Sequence, residues 1–359
     1  MNHIENQTRR KMKKSPIIIS CLLIILTGLS LAGQNAKPEY SVLNKIPVPG
    51  DGGWDYLTVQ ETGAGKLFIS HGNVVQVVDL ATGQVAATIK DTPGVHGIAL
   101  AMDLNKGFIS VGRNASVKVI DLKTLAPTVD VKVTGENPDA IMYDKFSKKV
   151  FVFNGRTSNA TVIDANTNEV VGTIALEGKP EFPASDNAGN IYVNIEDKSL
   201  ISVIDATTLK VLKSWPIAPG EEASGLAIDN ETHRLFTVCS NKLMVVLDAT
   251  DGHVVANLPI GEGCDGVKFD PILKRAYSSN GEGTMTVVQE VDKDNFKVLE
   301  TLKTSPGART LALDPRTHHI YTPTSEFNPP AAKTAENPNP RRTPKPGSFY
   351  IMDIAPIKK

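Results

Sequence analysis

Residues 201–215 read ISVIDATTLKVLKSW, and this stretch decides the fold of the chain. Apolar and polar residues alternate on both sides of Asp205, which is the pattern of two strands joined by a tight turn. An aspartate that ends a strand accepts hydrogen bonds from the backbone N–H groups of the residues just after it, and so closes such a turn. The stretch therefore predicts a β-hairpin with Asp205 at its turn.

The same hairpin recurs along the chain with a nearly constant period. Equivalent aspartates stand in VVDLATG, VIDLKTL, VIDANTN and VLDATDG, and less regular copies occur in QEVDKDNF and IMDIAP; they are Asp79, Asp121, Asp164, Asp248, Asp292 and Asp353. The first five copies, including Asp205, are 41 to 43 residues apart. A repeat of roughly 40–45 residues built from short strands is typical of a propeller blade. We therefore predict an all-β fold, a seven-bladed β-propeller of four-stranded antiparallel blades.

The N-terminus carries the pattern of an export signal. Five basic residues precede the apolar run PIIISCLLIILTGLSLA at residues 16–32; they are Arg9, Arg10, Lys11, Lys13 and Lys14. The run is short for a membrane span and ends in the small-x-small triplet Ser30-Leu31-Ala32. We expect residues 1–32 to be cleaved off, which leaves a periplasmic or secreted protein without a membrane span.

The charge of the remaining chain argues against one class of partner. Cleavage removes five basic residues and Glu5, so the formal net charge changes from −1 to −5. Nucleic-acid binding depends on clustered Lys and Arg, and a mildly acidic chain gives no strong signal for it.

Two cysteines remain after cleavage, Cys239 and Cys264. An oxidising compartment permits a disulfide, but a bridge needs Cα atoms within about 7 Å, which neighbouring blades often miss. We expect two free, partly buried thiols.

A single propeller domain accounts for residues 40–357, after a short linker at residues 33–39. Residues 40–48, YSVLNKIPV, form an isolated strand, whereas the last blade ends in SFYIMDI without a fourth strand. An open sheet edge is an aggregation hazard, and joining strands from both ends of the chain removes it. We therefore expect residues 40–48 to complete the seventh blade. The predicted first strands of the blades start at Tyr56, Gly97, Ala140, Pro183, Gly225, Gly266 and Thr310.

A Pro-rich insertion interrupts the last blade at residues 326–347, EFNPPAAKTAENPNPRRTPKPG. Its composition favours an extended or semi-stiff loop over added secondary structure. Two interpretations stay open. The insertion is a solvated linker, or it is a lid over one mouth of the channel, anchored by Phe327 and docked on acidic residues by Arg341 and Arg342.

These hairpins resemble those of the YVTN-repeat family, the bacterial seven-bladed propellers also called YncE-like. The first strands GEGCDGV at residues 261–267 and GARTLALD at residues 307–314, and the secretory leader, carry the same resemblance. It covers residues 40–356 and implies the fold. It does not select a function, because similar propellers include amine-dehydrogenase heavy subunits, lactonases and plain binding platforms.

Charged and polar residues gather on one predicted face. In a propeller, the loops that enter first strands and those that leave second strands open on the same face, and convergent charges around a concavity mark a candidate site. The candidate ligand-binding residues are Trp54, Asp55, His71, His96, Arg113, Asp139, Arg156, Glu181, Glu196, Glu222, Asp265 and Arg309.

Three interpretations of this face stay open. It is a solvated rim, a mouth that binds a small molecule, peptide or protein, or a hydrolase or lyase site resembling that of lactonases. In the last case His96 or a carboxylate with a raised pKa would act as the base. A divalent cation is a candidate cofactor, although Ca²⁺ and Mg²⁺ need about six ligands in close geometry.

No catalytic motif narrows this choice. The sequence contains no nucleophile elbow, HExxH, CxxCH haem site or phosphate loop. We therefore predict an exported binding or interaction protein of unknown ligand, with the propeller hydrolase or lyase as the alternative. Whether the protein is an enzyme, and which residues would be catalytic, stays open.

Overall fold

The computed structural model describes residues 39–60, 65–330 and 342–357, together with positions 332, 334 and 340. Within this part of the chain, 28 strands form seven four-stranded sheets whose neighbouring strands pair antiparallel. The predicted all-β, seven-bladed propeller is confirmed. The predicted signal segment 1–32 and Arg341 lie outside the described residues. None of the described residues belongs to a helix with the length and hydropathy of a membrane span.

Each of the first six blades consists of four consecutive strands, and the seventh combines the last three strands with the N-terminal strand. The first strands are β2 (Trp54–Gln60), β6 (Val95–Ala101), β10 (Pro138–Asp144), β14 (Pro180–Ser185), β18 (Ala223–Asp229), β22 (Cys264–Asp270) and β26 (Ala312–Asp314). The second strands are β3 (Lys66–His71), β7 (Lys106–Val111), β11 (Lys149–Asn154), β15 (Asn190–Ile195), β19 (Arg234–Cys239), β23 (Arg275–Asn280) and β27 (His319–Thr324). The third strands are β4 (Val74–Asp79), β8 (Ser116–Asp121), β12 (Asn159–Asp164), β16 (Leu200–Asp205), β20 (Leu243–Asp248), β24 (Thr284–Asp292) and β28 (Tyr350–Pro356).

The fourth strands lie on the outer edges of the blades. They are β5 (Gln84–Ile89), β9 (Pro127–Lys132), β13 (Val170–Ala175), β17 (Lys210–Pro216), β21 (Val254–Pro259), β25 (Asn295–Lys303) and, in the seventh blade, the N-terminal β1 (Tyr40–Pro47). Three short 3₁₀ helices complete the described structure, namely η1 (Met102–Leu104), η2 (Gly112–Asn114) and η3 (Glu196–Lys198).

The first strands enclose the channel of the propeller. Each first strand contacts the first strands of the two neighbouring blades, and the series closes from β26 back to β2. Apolar clusters fill the space between blades; one cluster joins Phe108 and Val119 of the second blade to Ile141 and Val150 of the third. The core is therefore a set of layers between blades around the channel.

The ring closes with strands from both ends of the chain, as predicted. β1 pairs antiparallel with β28, from Tyr40 opposite Pro356 to Pro47 opposite Tyr350. The Tyr40 hydroxyl lies 2.9 Å from the Tyr277 hydroxyl and accepts a hydrogen bond of 2.7 Å from Arg275. This buried contact ties the N-terminal strand to the sixth blade.

The aspartate turns form as predicted. Asp205 Oδ1 accepts hydrogen bonds from the N–H groups of Thr207 and Thr208 at 2.9 and 2.7 Å. Equivalent pairs of hydrogen bonds occur at Asp79, Asp121 and Asp164. The seventh copy differs, because Asp353 lies within β28 and not at a turn; its Oδ1 lies 2.7 Å from His319 Nδ1.

The first strands of six blades begin two or three residues earlier than predicted. The reason is a register shift near each strand start: Trp54 pairs with His71, but the next regular pair is Leu57 with Ile69. Such a bulge breaks the alternation of side chains, so the sequence pattern detects only the part of the strand that follows it. The seventh first strand begins at Ala312, two residues later than predicted.

The two cysteines are free thiols, as expected. Cys239 is buried, and the Sγ of Cys264 donates a hydrogen bond of 3.1 Å to the Cys239 carbonyl oxygen. Burial raises the pKa of both thiols to about 12, so neither is reactive at neutral pH.

Candidate functional site

Bulges at the starts of six first strands, and the loop before β26 in the seventh blade, present one residue per blade to the channel mouth. Buried donors on the second strand of the preceding blade hold the carbonyl oxygens of these residues in three cases. Ser110 donates to Asp139 at 2.6 Å, Asn194 donates to Ser224 at 2.8 Å, and Ser279 donates to Arg309. We call the seven equivalent residues the mouth ring; they are Asp55, His96, Asp139, Glu181, Ser224, Asp265 and Arg309.

Three members of the mouth ring form a compact group. His96 Nδ1 lies 2.8 Å from Asp55 Oδ2 and 3.6 Å from Asp139 Oδ1. One ligand atom from each of these three residues lies within 4.8 Å of the other two. The side chain of Asn137 also forms a hydrogen bond with the imidazole. This arrangement of two carboxylates and one imidazole matches the donor set of a metal site.

Cations on the ring offset part of its negative charge. Arg309 forms an ion pair with Asp265 and lies 3.8 Å from Asp55 Oδ1, and it donates to the Trp54 carbonyl oxygen at 3.2 Å. Lys179 forms ion pairs with Glu181, at 2.6 Å, and with Glu196. The structure thus brings Glu196 to the ring, although it belongs to a second-strand loop.

Tyr56 forms a floor beneath the mouth ring. It belongs to the first blade, yet its ring centroid lies 4.5 Å from that of Phe182 in the fourth blade, and it packs on the clusters of the third to fifth blades. Its hydroxyl is buried and has no hydrogen-bond partner within the described part of the chain. Burial and the charges of Asp139 and Glu181 raise its pKa well above the usual value.

The carboxylates of the ring are held in unfavourable surroundings. Burial raises the pKa of Asp139 to about 6, with the charge of Asp55 adding to the effect. Burial and the charge of Asp139 raise the pKa of Glu181 to about 8, despite the ion pair with Lys179. Burial also raises the pKa of Asp265. The folded protein therefore disfavours the ionised forms of these three carboxyl groups.

The pKa of His96 is raised as well, although burial acts on an imidazole in the opposite direction. Burial lowers its pKa, but the hydrogen bond to Asp55 and the charge of Asp139 outweigh that effect, so the net shift is upward.

Several predicted site residues lie away from this group. Glu222 is exposed, and the register of β18 puts Ser224, not Glu222, at the mouth-ring position. Arg113 and Arg156 are also exposed, and among the described residues no contact joins their side chains to Asp55, His96 or Asp139. Six residues separate β17 from β18, whereas four or five precede β6, β10, β14 and β22, and this longer loop explains the misplacement of Glu222.

His71 and Trp54 belong to an aromatic cluster beside the mouth. His71 is 2% exposed, stacks on Phe349 at 4.0 Å and lies 2.8 Å from Gln76 Oε1 through Nδ1. Burial lowers its pKa, so it is neutral at pH 7. Trp54 packs between Phe349 and Phe327. These residues build the wall around the mouth and stand apart from the His96 group.

The base of the Pro-rich insertion is fixed next to this cluster. Phe327 lies 6.1 Å from Trp54 and forms an isolated bridge with Pro344. Glu326 and Lys345 form an ion pair of 3.0 Å at the same base. Phe327 therefore lies where an anchor was expected. Much of residues 331–341, including Arg341, lies outside the described residues, and the lid stays a prediction.

Three residues of the site were missed from the sequence. Tyr56 has the pattern of an ordinary first-strand residue, and Lys179 and Asn137 stand in loops just before β14 and β10. For Lys179 and Asn137 the sequence does offer one indication, because each directly precedes a first strand that carries a mouth-ring residue.

Comparison with known proteins finds partial relatives and a solved structure with a similar fold. No family model matches the chain. Escherichia coli K12 YncE, described as uncharacterized, is 27% identical over 166 residues, which cover 40% of this chain and 46% of the relative. Salmonella typhimurium YncE is 26% identical over 188 residues, 46% of this chain and 52% of the relative. With the seven blades, these matches support a YncE-like propeller family.

The matches to the YncE proteins span about half the length of those relatives. A solved structure with a similar fold is a chain of Kuenenia stuttgartiensis hydrazine synthase, with a TM-score of 0.65 and 19% identity. The match covers 77% of this chain and 94% of that one. At this identity the likeness shows the fold alone.

Proposed function

We propose that this protein is a binding protein whose channel mouth holds a divalent transition-metal cation on Asp55, His96 and Asp139. The observation that carries the proposal is the proximity of their three ligand atoms, within 4.8 Å of one another. These residues come from the first, second and third blades, so the site depends on the assembled propeller.

The donor set indicates the class of cation. Two carboxylates and a neutral imidazole balance the charge of a divalent ion, and nitrogen with oxygen donors suit Mn²⁺, Fe²⁺ or Zn²⁺. Ca²⁺ prefers about six to eight oxygen ligands and has no affinity advantage from an imidazole. We therefore expect selection of first-row transition metals over Ca²⁺.

The surroundings of the three ligands support the same proposal. The raised pKa of Asp139 reflects a buried carboxylate that lacks a full counter-charge, and a bound cation would supply that charge. Arg309 near Asp55 and Asn137 on His96 would orient the ligands from outside, as outer-shell partners do in metal sites. The Tyr56 hydroxyl beneath them is a spare hydrogen-bond donor for a ligand in the mouth.

The direct test is thermal unfolding with Mn²⁺, Zn²⁺ or Ca²⁺ after chelator treatment. Cation at about 100 times its Kd stabilises the folded state by roughly 2.7 kcal/mol. We expect Mn²⁺ or Zn²⁺ to raise the melting temperature of the wild type and of Glu222→Gln, a matched change at an exposed acid. Asp139→Asn and His96→Gln should lose that response. Equal responses in all four proteins would refute the site.

A hydrolase or lyase is the second candidate, and Glu181 is the observation that favours it. With a pKa of about 8, this carboxyl group is mostly protonated at neutral pH and can act as a general acid. Three protein ligands would leave coordination positions open for water. Metal-loaded protein should then cleave members of a lactone and ester panel, and Glu181→Gln should lose turnover but keep metal binding. Absence of turnover in the loaded wild type leaves the binding role.

Export is part of the proposal. The basic residues and apolar run of residues 1–32 support it, and the site would then meet its metal outside the cytoplasm. Cell fractionation tests this point. The full chain should be recovered outside the cytoplasm, and a chain without residues 1–32 should stay inside; recovery of both inside would contradict export.

A further inference from the structure

Two arginines occupy equivalent positions on the face of the propeller that carries the mouth ring. Arg113 and Arg156 are the second residues after β7 and β11, in the second and third blades. The backbone N–H of Arg113 donates to the Pro93 carbonyl oxygen at 3.3 Å, in the loop before β6. That of Arg156 donates to the Glu136 carbonyl oxygen at 3.4 Å, in the loop before β10. The repeat therefore holds both arginines in the same way, one in each of two neighbouring blades.

The residue before each arginine is a glycine beside a proposed metal ligand. A Cβ atom added to Gly112 would lie 3.0 Å from Cδ2 of His96. A Cβ atom added to Gly155 would lie 3.9 Å from Oδ2 of Asp139. Each arginine therefore begins one residue from a contact with the proposed metal site, and its long side chain is rooted at the edge of that site.

The two guanidinium groups have no counter-ion within the described part of the chain. Both side chains are exposed, and no ion pair or hydrogen bond engages either of them there. The stem of Arg113 packs over Gly94, where an added Cβ atom would lie 2.9 Å from Arg113 Cγ. Glu136 is exposed in the same group of loops, yet no described ion pair joins it to either arginine. Each guanidinium therefore offers its fork of N–H donors to an outside anion.

The equivalent position carries no basic residue in the other five blades. The residues there are Asn73, Asp197, Asn241, Glu282 and Glu326. The loop forms with asparagine or with an acid, so the fold does not require an arginine. Among these seven positions, the two positive charges fall in the blades that supply His96 and Asp139. This coincidence points to an anion held over that side of the mouth.

We propose that the mouth binds a small polycarboxylate together with the cation, with one carboxylate in an open coordination position and the others on Arg113 and Arg156. This inference rests on the proposed metal site. Three protein ligands leave coordination positions open, and a carboxylate oxygen suits the same cations. A guanidinium binds a carboxylate through two parallel hydrogen bonds, so two arginines fix two carboxylates in place.

The charge of the mouth ring favours carboxylates over phosphates. Four of its seven members carry carboxyl groups and one is an arginine, so the mouth tolerates few further negative charges. A phosphate group carries up to about two negative charges at neutral pH, whereas a carboxylate carries one. The ligand expected from this balance is therefore a polycarboxylate.

Calorimetric titration of tricarballylate into Mn²⁺-loaded protein at pH 7.5 tests the proposal. This probe carries three carboxylates, and the heat of its titration into Mn²⁺ without protein is subtracted. We expect saturable binding to the wild type, and Arg113→Met and Arg156→Met should each weaken it at least about tenfold, a difference of roughly 1.4 kcal/mol. Butyrate and inorganic phosphate should each bind the wild type at least about tenfold more weakly than tricarballylate does.

The matched control is Lys242→Met, which removes an exposed positive charge from the same face in the fifth blade. Lys242 forms an ion pair of 2.9 Å with Glu262, so this variant should bind tricarballylate as the wild type does. Without Mn²⁺ the wild type should bind tricarballylate at least about tenfold more weakly, because the cation supplies one of the contacts.

The metal content of the wild type, measured without tricarballylate, separates the failure of this inference from the failure of the metal site. If the wild type holds Mn²⁺ but binds tricarballylate no more tightly than the two arginine variants do, the polycarboxylate inference is wrong and the metal site stands. If the wild type holds no Mn²⁺, both fail together. Tighter binding of phosphate than of tricarballylate would overturn the choice of carboxylates.

Discussion

His96 Nδ1 lies 2.8 Å from Asp55 Oδ2 and 3.6 Å from Asp139 Oδ1, so one imidazole nitrogen faces carboxylates from the two blades that flank its own. The bulges of the first strands make this contact, because they direct the three side chains to the channel mouth. The arrangement joins three blades at one point, and its charges govern the predictions below.

Metal binding should weaken in acid. A cation must displace protons from its ligands, and burial raises the pKa of Asp139 to about 6, while Asp55 and Asp139 raise that of His96. We expect the apparent affinity for Mn²⁺ to fall as the pH is lowered from 8 to 5, by up to about 100-fold per pH unit once both groups bind protons. Calorimetric titration from pH 5 to 8 measures it. An affinity that is flat across this range would exclude Asp139 and His96 as ligands.

Glu181→Gln should flatten the pH dependence of stability. The folded-state pKa of Glu181 is raised from 4.5 to about 8, so protonation of Glu181 stabilises the folded state. This stabilisation is fully present below pH 4.5 and is lost as the pH rises through about 8. The loss is on the order of 3 kcal/mol, since its side chain is only 12% exposed. Urea unfolding at pH 5 and pH 8 measures it.

The matched control for that experiment is Glu222→Gln, because Glu222 is exposed. The control should follow the wild type at both pH values. If Glu181→Gln also follows the wild type, the ion pair with Lys179 fully compensates the charge of Glu181. The inference that burial and neighbouring carboxylates raise the pKa of Glu181 would then be wrong.

The closing strand should be essential for the fold. A chain that begins at Pro49 lacks β1, so the backbone groups of β28 lose their partners and an open edge invites aggregation. A smaller change is Tyr40→Phe, which removes hydrogen bonds to Tyr277 and Arg275 and should cost about 1–3 kcal/mol. Chemical unfolding measures the second variant and light scattering the first. Wild-type melting of the shortened chain would contradict the role of β1.

Local patterns explain why the fold was predictable. The turn at Asp205 needs only the next three residues, and its repetition fixed the number of blades. The closing strand followed from one missing strand at the end of the chain. The members of the mouth ring were harder to predict, because a bulge changes which residue faces the channel. In the fifth blade the ring position is held by Ser224, only two positions after the predicted Glu222.

Contacts across the channel explain what the sequence did not reveal. Tyr56 and Phe182 belong to the first and fourth blades, and no spacing along the chain indicates their contact.

The central claim is a single cation on Asp55, His96 and Asp139, and metal stoichiometry tests it most directly. Chelator-treated protein is dialysed to equilibrium against Mn²⁺ or Zn²⁺ at pH 7.5, and bound metal is measured by mass spectrometry. We predict about one ion per chain for the wild type and for Glu222→Gln, and almost none for Asp139→Asn or His96→Gln. Equal metal content in all four proteins, or none in the wild type, would contradict it.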